Sequence, residues 1–544
     1  MGSENGSTGA RVTLSGKRAL FEQLLADGVT AIFGNPGTTE QGFMDLLPEY
    51  PQIRYYLALH EGVAVTMADA YARASGRPGF VELHTAPGVG NGMGMLFNAW
   101  AGGSPLVVYA GQSVAEGLFQ EPYLSADVVS MAKPITKWAA EITQTSDVPQ
   151  ALRRAFKVAM EPPRGPVLLS IPIDVLDGKA EVVIEPTTQV AWKTRPPLSA
   201  VEEAVALIRA ASAPAIAVGD NVHLTGAQDA VVRLAELLGA PILNAFSNGV
   251  NAPAGHPLYV PRSIPVSAEE VRTALEGFDL ILVVGSSLFP SIFPDRKGPV
   301  PDGVRVIQAD FNSWELGKNH PGDVLMRADP GETLLAVIEE IDRTAGTDEL
   351  AAWRVRRAAM EGRIAAQREA ARARHRAGWD SVPISPHRLM AEIAAAVPPD
   401  AAVFDEAISS GASLETYLQP AEPWRRFRAR GGGIGQGLPG ALGLKVAYPE
   451  RPVVGIASDG SSMYSITALW TAAHHRIPVT FVMCNNASYR LLKLNLQKYR
   501  SAGEAGRPFA HLDLSDPELR FDRIAEALGI RGRRIERPDE IGPA

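Results

Sequence analysis

Val453-Val454-Gly455-Ile456-Ala457-Ser458-Asp459-Gly460-Ser461 and Pro478-Val479-Thr480-Phe481-Val482-Met483-Cys484-Asn485-Asn486 are the two stretches whose reading decides the fold. Each is a short β-branched, apolar run that ends abruptly in small and polar residues, as buried parallel strands do. A helical pattern lies between them, from Ile466 to His475. Strand, helix and strand in that order predict a parallel pair. Both polar ends then emerge at the carboxyl edge of the sheet, the edge at which α/β folds bind ligands.

The residues at those ends carry chemistry. Asp459 offers a carboxylate and Asn486 a side-chain carbonyl, both hard oxygen ligands suited to Mg²⁺ or Ca²⁺, which would also take diphosphate oxygens and water. Gly460 lets the backbone approach a phosphate. Ser461 and the helix start beyond it offer donors to the phosphate. Taken singly, Asp-Gly-Ser and Asn-Asn are turns more often than sites. Their pairing across one strand–helix–strand unit is far more specific.

The same alternation extends outward. Over 12–184, Lys17 to Asp27 is amphipathic, and a strand from Ala31 ends at Gly34-Asn35-Pro36-Gly37. A longer helix runs from Glu61 to Gly76-Arg77-Pro78. Phe80 to Leu83 reads as a short strand leading through His84 into a Gly-rich loop, and Pro105 to Ala110 and Pro166 to Pro172 as buried strands. A proline-bearing linker over 185–197 precedes a second unit, 198–345, with strands at Ala215 to Val218 and Leu280 to Val284. A charged helix from Glu349 to Ala377 connects to the third unit, 384–544. The expectation is an α/β protein of three doubly wound parallel-sheet domains.

Bulk properties fit this. A chain of 544 residues exceeds one hydrophobic core and implies about three domains. Fifty-two basic against sixty acidic side chains leave a formal charge of −8, so nothing in the electrostatics favours nucleic acid. The single cysteine, Cys484, cannot close a disulfide within the chain, which fits a reducing cytoplasm. No run of about eighteen apolar residues predicts a membrane span. Met1 to Gly9 reads as a floppy tail with no signal-peptide core.

Asp459-Gly460-Ser461 through Asn485-Asn486 resembles the thiamine-diphosphate-binding signature. Phe33-Gly34-Asn35-Pro36-Gly37, Leu83-His84-Thr85-Ala86-Pro87-Gly88, Gly432-Gly433-Ile434-Gly435 and the segment from Tyr464 to Ala473 extend the likeness over nearly the whole chain. The sequence resembles the pyruvate decarboxylase and acetolactate synthase superfamily, most nearly its benzoylformate decarboxylases. That implies pyrimidine-binding, middle and diphosphate-binding domains in order. It implies thiamine diphosphate with Mg²⁺ or Ca²⁺ and no expected FAD. It also implies non-oxidative decarboxylation of a 2-oxo acid to an aldehyde, the thiazolium ring serving as electron sink.

Residue by residue, the resemblance assigns metal binding to Asp459, Asn486 and the carbonyl of Ser488. It assigns diphosphate contacts to Ser409, Gly460, Ser461 and Tyr464, and a backbone carbonyl for the aminopyrimidine to Gly432. Ile434 matches the apolar wedge under the cofactor, and Asn35, Pro36 and Gly37 belong to its binding loop. Glu61 matches the acid on the aminopyrimidine. Its neighbours Leu57, Ala58, Leu59, Val63 and Val65 are apolar, which would ease its protonation. A helix-capping glutamate is the blander alternative. His84 matches a proton-transferring histidine, and Thr38 a substrate-binding hydroxyl. Gln112 is a weaker pocket candidate. The resemblance also implies a homodimer or homotetramer, with Glu61 and Asp459 serving one site from different chains.

Departures from the pattern narrow the reading. Ser458 stands where the signature begins with glycine. Ile292 falls where benzoylformate decarboxylases carry a second histidine. Arg428 and Asn495 replace ring-facing aromatics, so the pocket is expected to be more polar, with Arg428, Arg430 or Lys493 open to an anionic group. The chain stops at Ala544, before an expected last helix and strand, as a truncation would. A carboligase of the acetolactate synthase type and a catalytically reduced cofactor-binding protein remain alternatives. A dehydrogenase is disfavoured, since neither Gly88 to Gly94 nor Gly431 to Gly437 makes a clean dinucleotide fingerprint.

Overall fold

The structure, a computed structural model, describes residues 10–245, 248–263, 267–289, 292, 294–500 and 506–544. Its internal contacts divide the chain into two compact units. One joins the chain up to Ala191 with Val403–Ala407 and Ala429–Arg534; the other comprises Trp192–Ala402, Ile408–Arg428 and Ile535–Ala544. The α/β architecture built on parallel sheets is present as expected.

The first unit holds a six-stranded parallel sheet in the order Arg54–Leu57, Ala31–Asn35, Gly79–Leu83, Leu106–Gln112, Val167–Pro172, Trp138–Glu141. Side chains alternate between its faces with period two. Ile32, Phe80 and Val107 turn to a core shared with Leu20, Phe21, Leu152 and Phe156 from Gly16–Ala26 and Val148–Met160. Phe33, Val81 and Val108 turn to the opposite core, built with the helices Glu61–Ser75 and Thr85–Ala101. That second core continues into Leu438, Leu442, Ala457, Ala468 and Leu469. It is therefore also the core of the third sheet, in which Ala402–Glu406, Val453–Ser458 and Thr480–Cys484 are neighbours in that order. The last two run parallel, with Ser458 opposite Cys484.

Two helices form the seam. Glu61–Ser75 lies along Gly437–Ala447, and the contact is closest at Gly443, where a Cβ would overlap the Met67 carbonyl and sit 2.9 Å from Ala70 Cβ. A second tie is His475, the last residue of Ala468–His475. Its Nε2 accepts from the Leu57 N–H at 2.8 Å, and its carbonyl accepts from Arg54 Nη2 at 2.8 Å.

The second unit carries its own six-stranded parallel sheet, ordered Tyr259–Ser263, Ile242–Asn244, Pro214–Val218, Leu280–Val284, Arg305–Asp310, Val324–Arg327. Helices Leu198–Ala210, Gln228–Leu238 and Pro330–Thr344 close one face. The charged helix spans Thr347–His375. Among the described residues no helix is long and apolar enough to cross a membrane.

Two local expectations are corrected. The segment after Val453–Ser458 is not a loop leading to one helix from Ile466. A short helix, Asp459–Tyr464, starts at once, and a second, Ala468–His475, follows after a break. The Gly-rich stretch after His84 is not a loop either, but the helix Thr85–Ala101. Each interior glycine costs about 1 kcal/mol in helix propensity, and tertiary packing overrides that cost. A Cβ at Gly92 would press on Leu83 at 3.3 Å and Val65 at 3.4 Å, and one at Gly88 would lie 3.4 Å from Glu61 Oε1.

Burial, with His474 and Arg54 nearby, pushes the His475 imidazole down to about 4. Because the unfolded side chain titrates near 6.5, the unfolded state binds more protons between the two values. Stability is then lost as pH falls from about 6.5 through about 4. His475→Gln should flatten that part of the thermal-stability profile, by on the order of 1–2 kcal/mol once its partial exposure is allowed for. Melts at pH 7 and pH 4.5 that shift equally in both proteins would contradict this.

Candidate active site

Strand Arg54–Leu57 delivers Glu61 to the first position of its helix, capped by His60, whose Nδ1 accepts from the Gly62 N–H at 3.0 Å. The Glu61 carboxyl is only 6% exposed. It is not in purely apolar surroundings, as the sequence had implied. Asn35 Nδ2 donates to Oε1 at 3.4 Å and Asn91 Nδ2 to Oε2 at 3.1 Å. Gly88 and Gly92 let the Asn91 helix come this near.

The loop after Ala31–Asn35 joins Glu61 to His84. Asn35 reaches Glu61, while Gly37 packs so tightly on the His84 ring that a Cβ there would overlap it. His84 Nδ1 lies 2.8 Å from Glu40 Oε2 and 3.1 Å from Thr39 Oγ1. Glu40 is fully buried and also accepts the Gly37 N–H at 2.9 Å. A carboxylate facing Nδ1 fixes the proton on that nitrogen. The sequence reading missed Glu40, because nothing in its spacing marks it; only the fold sets it on His84. Thr38 is exposed in the same loop. Thr85, next to His84, is fully buried with φ +45°, a strained conformation for a β-branched residue.

Gly431, Gly432 and Gly435 have φ of +77°, +96° and +104°, values that side chains rarely adopt. Three neighbours grip this loop. Asn98 exchanges two hydrogen bonds with Gly433, at 3.0 and 2.9 Å. Glu406 accepts from the N–H groups of Gly435 and Gly437, and burial raises its carboxyl pKa. Ser461 Oγ accepts from Gly435 N–H at 3.1 Å. Arg430, expected to be open to an anion, is instead buried: it pairs with Asp69 at 2.9 Å and contacts Ser104 and the Gly102 carbonyl. Gly432 itself has open space where a Cβ would sit, and Ile434 is half-buried beside it.

Asp459 is 2% exposed at the head of its helix. Its Oδ2 accepts from the backbone N–H of Asn486 at 3.1 Å and of Ser488 at 3.3 Å, joining the two carboxyl-end loops. The Asn486 side chain is exposed, and the Ser488 carbonyl accepts from Arg490 N–H at 2.8 Å. Ala487 between them has φ +51°, a second strained residue at a loop end. Ser458 has φ −91°, open to any residue, so the glycine usual in the signature is not required; its Oγ donates to the Glu406 carbonyl at 3.0 Å. Gly460 and Ser461 are buried and Tyr464 is exposed.

The other candidates sit on other elements. Gln112 is buried, its amide donating to the Ala126 carbonyl and accepting from Ser113 N–H, each at 3.0 Å. Asn495 is half-buried on the helix Arg490–Tyr499, and Lys493 pairs with Asp513. Ser409, Ile292 and Arg428 belong to the second compact unit; Ile292 is exposed and Arg428 pairs with Glu415 at 3.3 Å. Within one chain, the helix that Glu61 opens packs on Gly437–Ala447.

A buried carboxylate held by two amides, a positive-φ glycine loop and an Asp459–Asn486 junction suit a cofactor with an aminopyrimidine at one end and a diphosphate at the other. The donor set fits the class of thiamine-diphosphate, or thiamine pyrophosphate, enzymes. Family models agree along the chain: the thiamine pyrophosphate enzyme N-terminal TPP-binding domain matches residues 14–125, the central domain 201–337 and the C-terminal TPP-binding domain 411–544. The benzoylformate decarboxylase of Pseudomonas aeruginosa is 35% identical over 528 residues, covering 96% of this chain and 94% of the relative. The large subunit of acetolactate synthase isozyme 3 from Escherichia coli is 27% identical over 539 residues, covering 97% and 91%. Among solved structures, a thiamine diphosphate-dependent 4-hydroxybenzoylformate decarboxylase of Rhodococcus jostii superposes with a TM-score of 0.83 at 30% identity, covering 98% of this chain and 96% of that one. The chain belongs to the thiamine pyrophosphate enzyme family.

Arg430→Leu would leave Asp69 buried without its cation. Breaking one side of a buried pair costs about 3–5 kcal/mol, and joint replacement by Asp69→Leu should recover part of it. Denaturant titration of the single and double variants checks this, and a stable single variant would show that the pair is dispensable.

Proposed function

We propose that the chain catalyses non-oxidative decarboxylation of a 2-oxo acid to an aldehyde, with thiamine diphosphate held through Mg²⁺. The observation that carries the reading is the Asn35–Glu40 loop, which touches both the Glu61 carboxylate and the Glu40–His84 pair. An acid for the cofactor ring and a proton carrier for the product are thus both held by contacts from one turn. When bound, the cofactor supplies a thiazolium ring as electron sink for carbon–carbon cleavage.

The remaining chemistry belongs to the chain. Asp459, the Asn486 side chain and the Ser488 carbonyl would hold the metal, as hard oxygen donors suit it. Ser409, Gly460, Ser461 and Tyr464 would contact the diphosphate, with Ile434 as the apolar wedge and Gly432 offering its carbonyl. Glu61 holds a proton at the aminopyrimidine ring. His84, its Nδ1 fixed by Glu40, leaves Nε2 to deliver the proton that replaces the lost carboxylate on the product carbon. Thr38 would hold the substrate. Arg428 and Asn495, in place of aromatics, favour smaller or more polar 2-oxo acids over benzoylformate. The acetolactate synthase relative motivates a second reading, in which the same site joins the activated carbon to a second carbonyl. In either case the site would be completed in a homodimer or homotetramer.

A panel of 2-oxo acids with thiamine diphosphate and Mg²⁺, read by CO₂ release and by product analysis, tests the proposal. Aldehyde as main product supports it, ligated hydroxyketones favour the second reading, and no CO₂ from any acid rejects both. Asp459→Ala should lose cofactor binding, measured by calorimetry. Glu61→Gln should keep most cofactor affinity while turnover falls about 10²–10⁴-fold, the usual worth of acid–base help. Deuterium exchange at the cofactor's reactive carbon, as fast in that variant as in wild type, would reduce Glu61 to a helix cap.

A further inference from the structure

Glu82 takes no part in the chemistry above, yet it sits inside the same cluster. It occupies the strand Gly79–Leu83, two residues before His84, with no exposed surface. Register sets it opposite Gly34 on one side and Tyr109 on the other. Gly34 makes the room, since a Cβ there would overlap both Glu82 Oε2 and the Tyr55 hydroxyl. Tyr55 donates to Oε2 at 2.5 Å. Among the described residues Oε1 has no hydrogen-bond partner, and neither has the hydroxyl of fully buried Tyr109.

The titratable groups that face Glu82 are Tyr55 from Arg54–Leu57, Glu40 from the Asn35–Glu40 loop, Glu61 from its helix and Tyr109 from Leu106–Gln112. None of them is a cation. Glu40 accepts from three donors: Gly37 N–H, Thr39 Oγ1 and the His84 ring. Glu82 accepts from one. Neighbouring buried carboxyls do not both ionise readily, and the proton goes to the one with fewer donors.

We propose that Glu82 is a positioning residue that carries the cluster's spare proton on Oε1, so that no second carboxylate charge stands beside the Glu40–His84 pair. This rests on the proton-carrying role given to His84 above. Burial, with Glu40 close by, pushes Glu82 up to about 8. Above that pH a second carboxylate charge arrives beside Glu40. It strengthens the hold on a protonated imidazole, and His84 gives up its proton more slowly. Glutamine at this position stays neutral at every pH and cannot add that charge.

Infrared difference spectra of the resting protein with ¹³C-carboxyl glutamate tests the proton directly, without any turnover. Wild type should show a protonated-carboxyl band at pH 7 that fades through about pH 8, and Glu82→Gln should lack it. Tyr55→Phe removes the donor that favours the ionised form, so the fading should move to higher pH. In the decarboxylation assay, wild-type kcat should fall about threefold or more between pH 7 and pH 9, and in Glu82→Gln it should not. Absence of the band in wild type overturns the proposal whatever the activity. A band with the expected midpoint but equal pH profiles in both proteins overturns the link to His84. If no 2-oxo acid is turned over, the functional reading fails, and the infrared midpoints of wild type and Tyr55→Phe still decide where the proton sits.

Discussion

Gly443 has no side chain because the backbone of Met67 occupies the place where one would be. That close crossing sets the helix Glu61–Ser75 along Gly437–Ala447. One helix begins at the buried Glu61 carboxyl; the other begins where the positive-φ glycine loop ends. The buried Arg430–Asp69 pair and the Asn98–Gly433 hydrogen bonds pin the same seam from its flank.

The site divides its electrostatics between two sheets. At the first, three carboxyls, Glu40, Glu61 and Glu82, meet two tyrosines and one histidine, with no Lys or Arg among the described residues to offset them. Such an arrangement is costly in isolation and is held by amides and hydroxyls instead of cations. At the third sheet, Asp459 collects backbone donors from the loop it faces, and Glu406 does the same for the glycine loop. Strained Thr85 and Ala487 mark the two points where that order is imposed on the backbone.

What could be read from the sequence was what spacing encodes. Asp459 and Asn486 end two apolar runs, and the parallel register of Ser458 with Cys484 places them side by side. Glu61 stood at a strand-to-helix junction and is found there. Glu40, Glu82, Asn91, Asn98 and Glu406 were not legible, because their partners are distant in sequence and no local pattern announces a buried acid. Arg430 was misread for the same reason: its partner Asp69 lies 361 residues away. The Gly-rich helix was misread because propensity argues for a loop, and only the neighbouring Glu61, Val65 and Leu83 supply the reason for a helix without side chains on that face.

That helix has a consequence for how the protein comes together. With glycine at positions 88, 90, 92 and 94, Thr85–Ala101 has little tendency to coil alone, and its order comes from docking. It is therefore a segment whose amides open to solvent exchange at lower free energy than the strands beside it. Asn91 and Asn98 ride on it, one clasping Glu61 and the other the glycine loop. A single local opening of this helix would release both contacts at once.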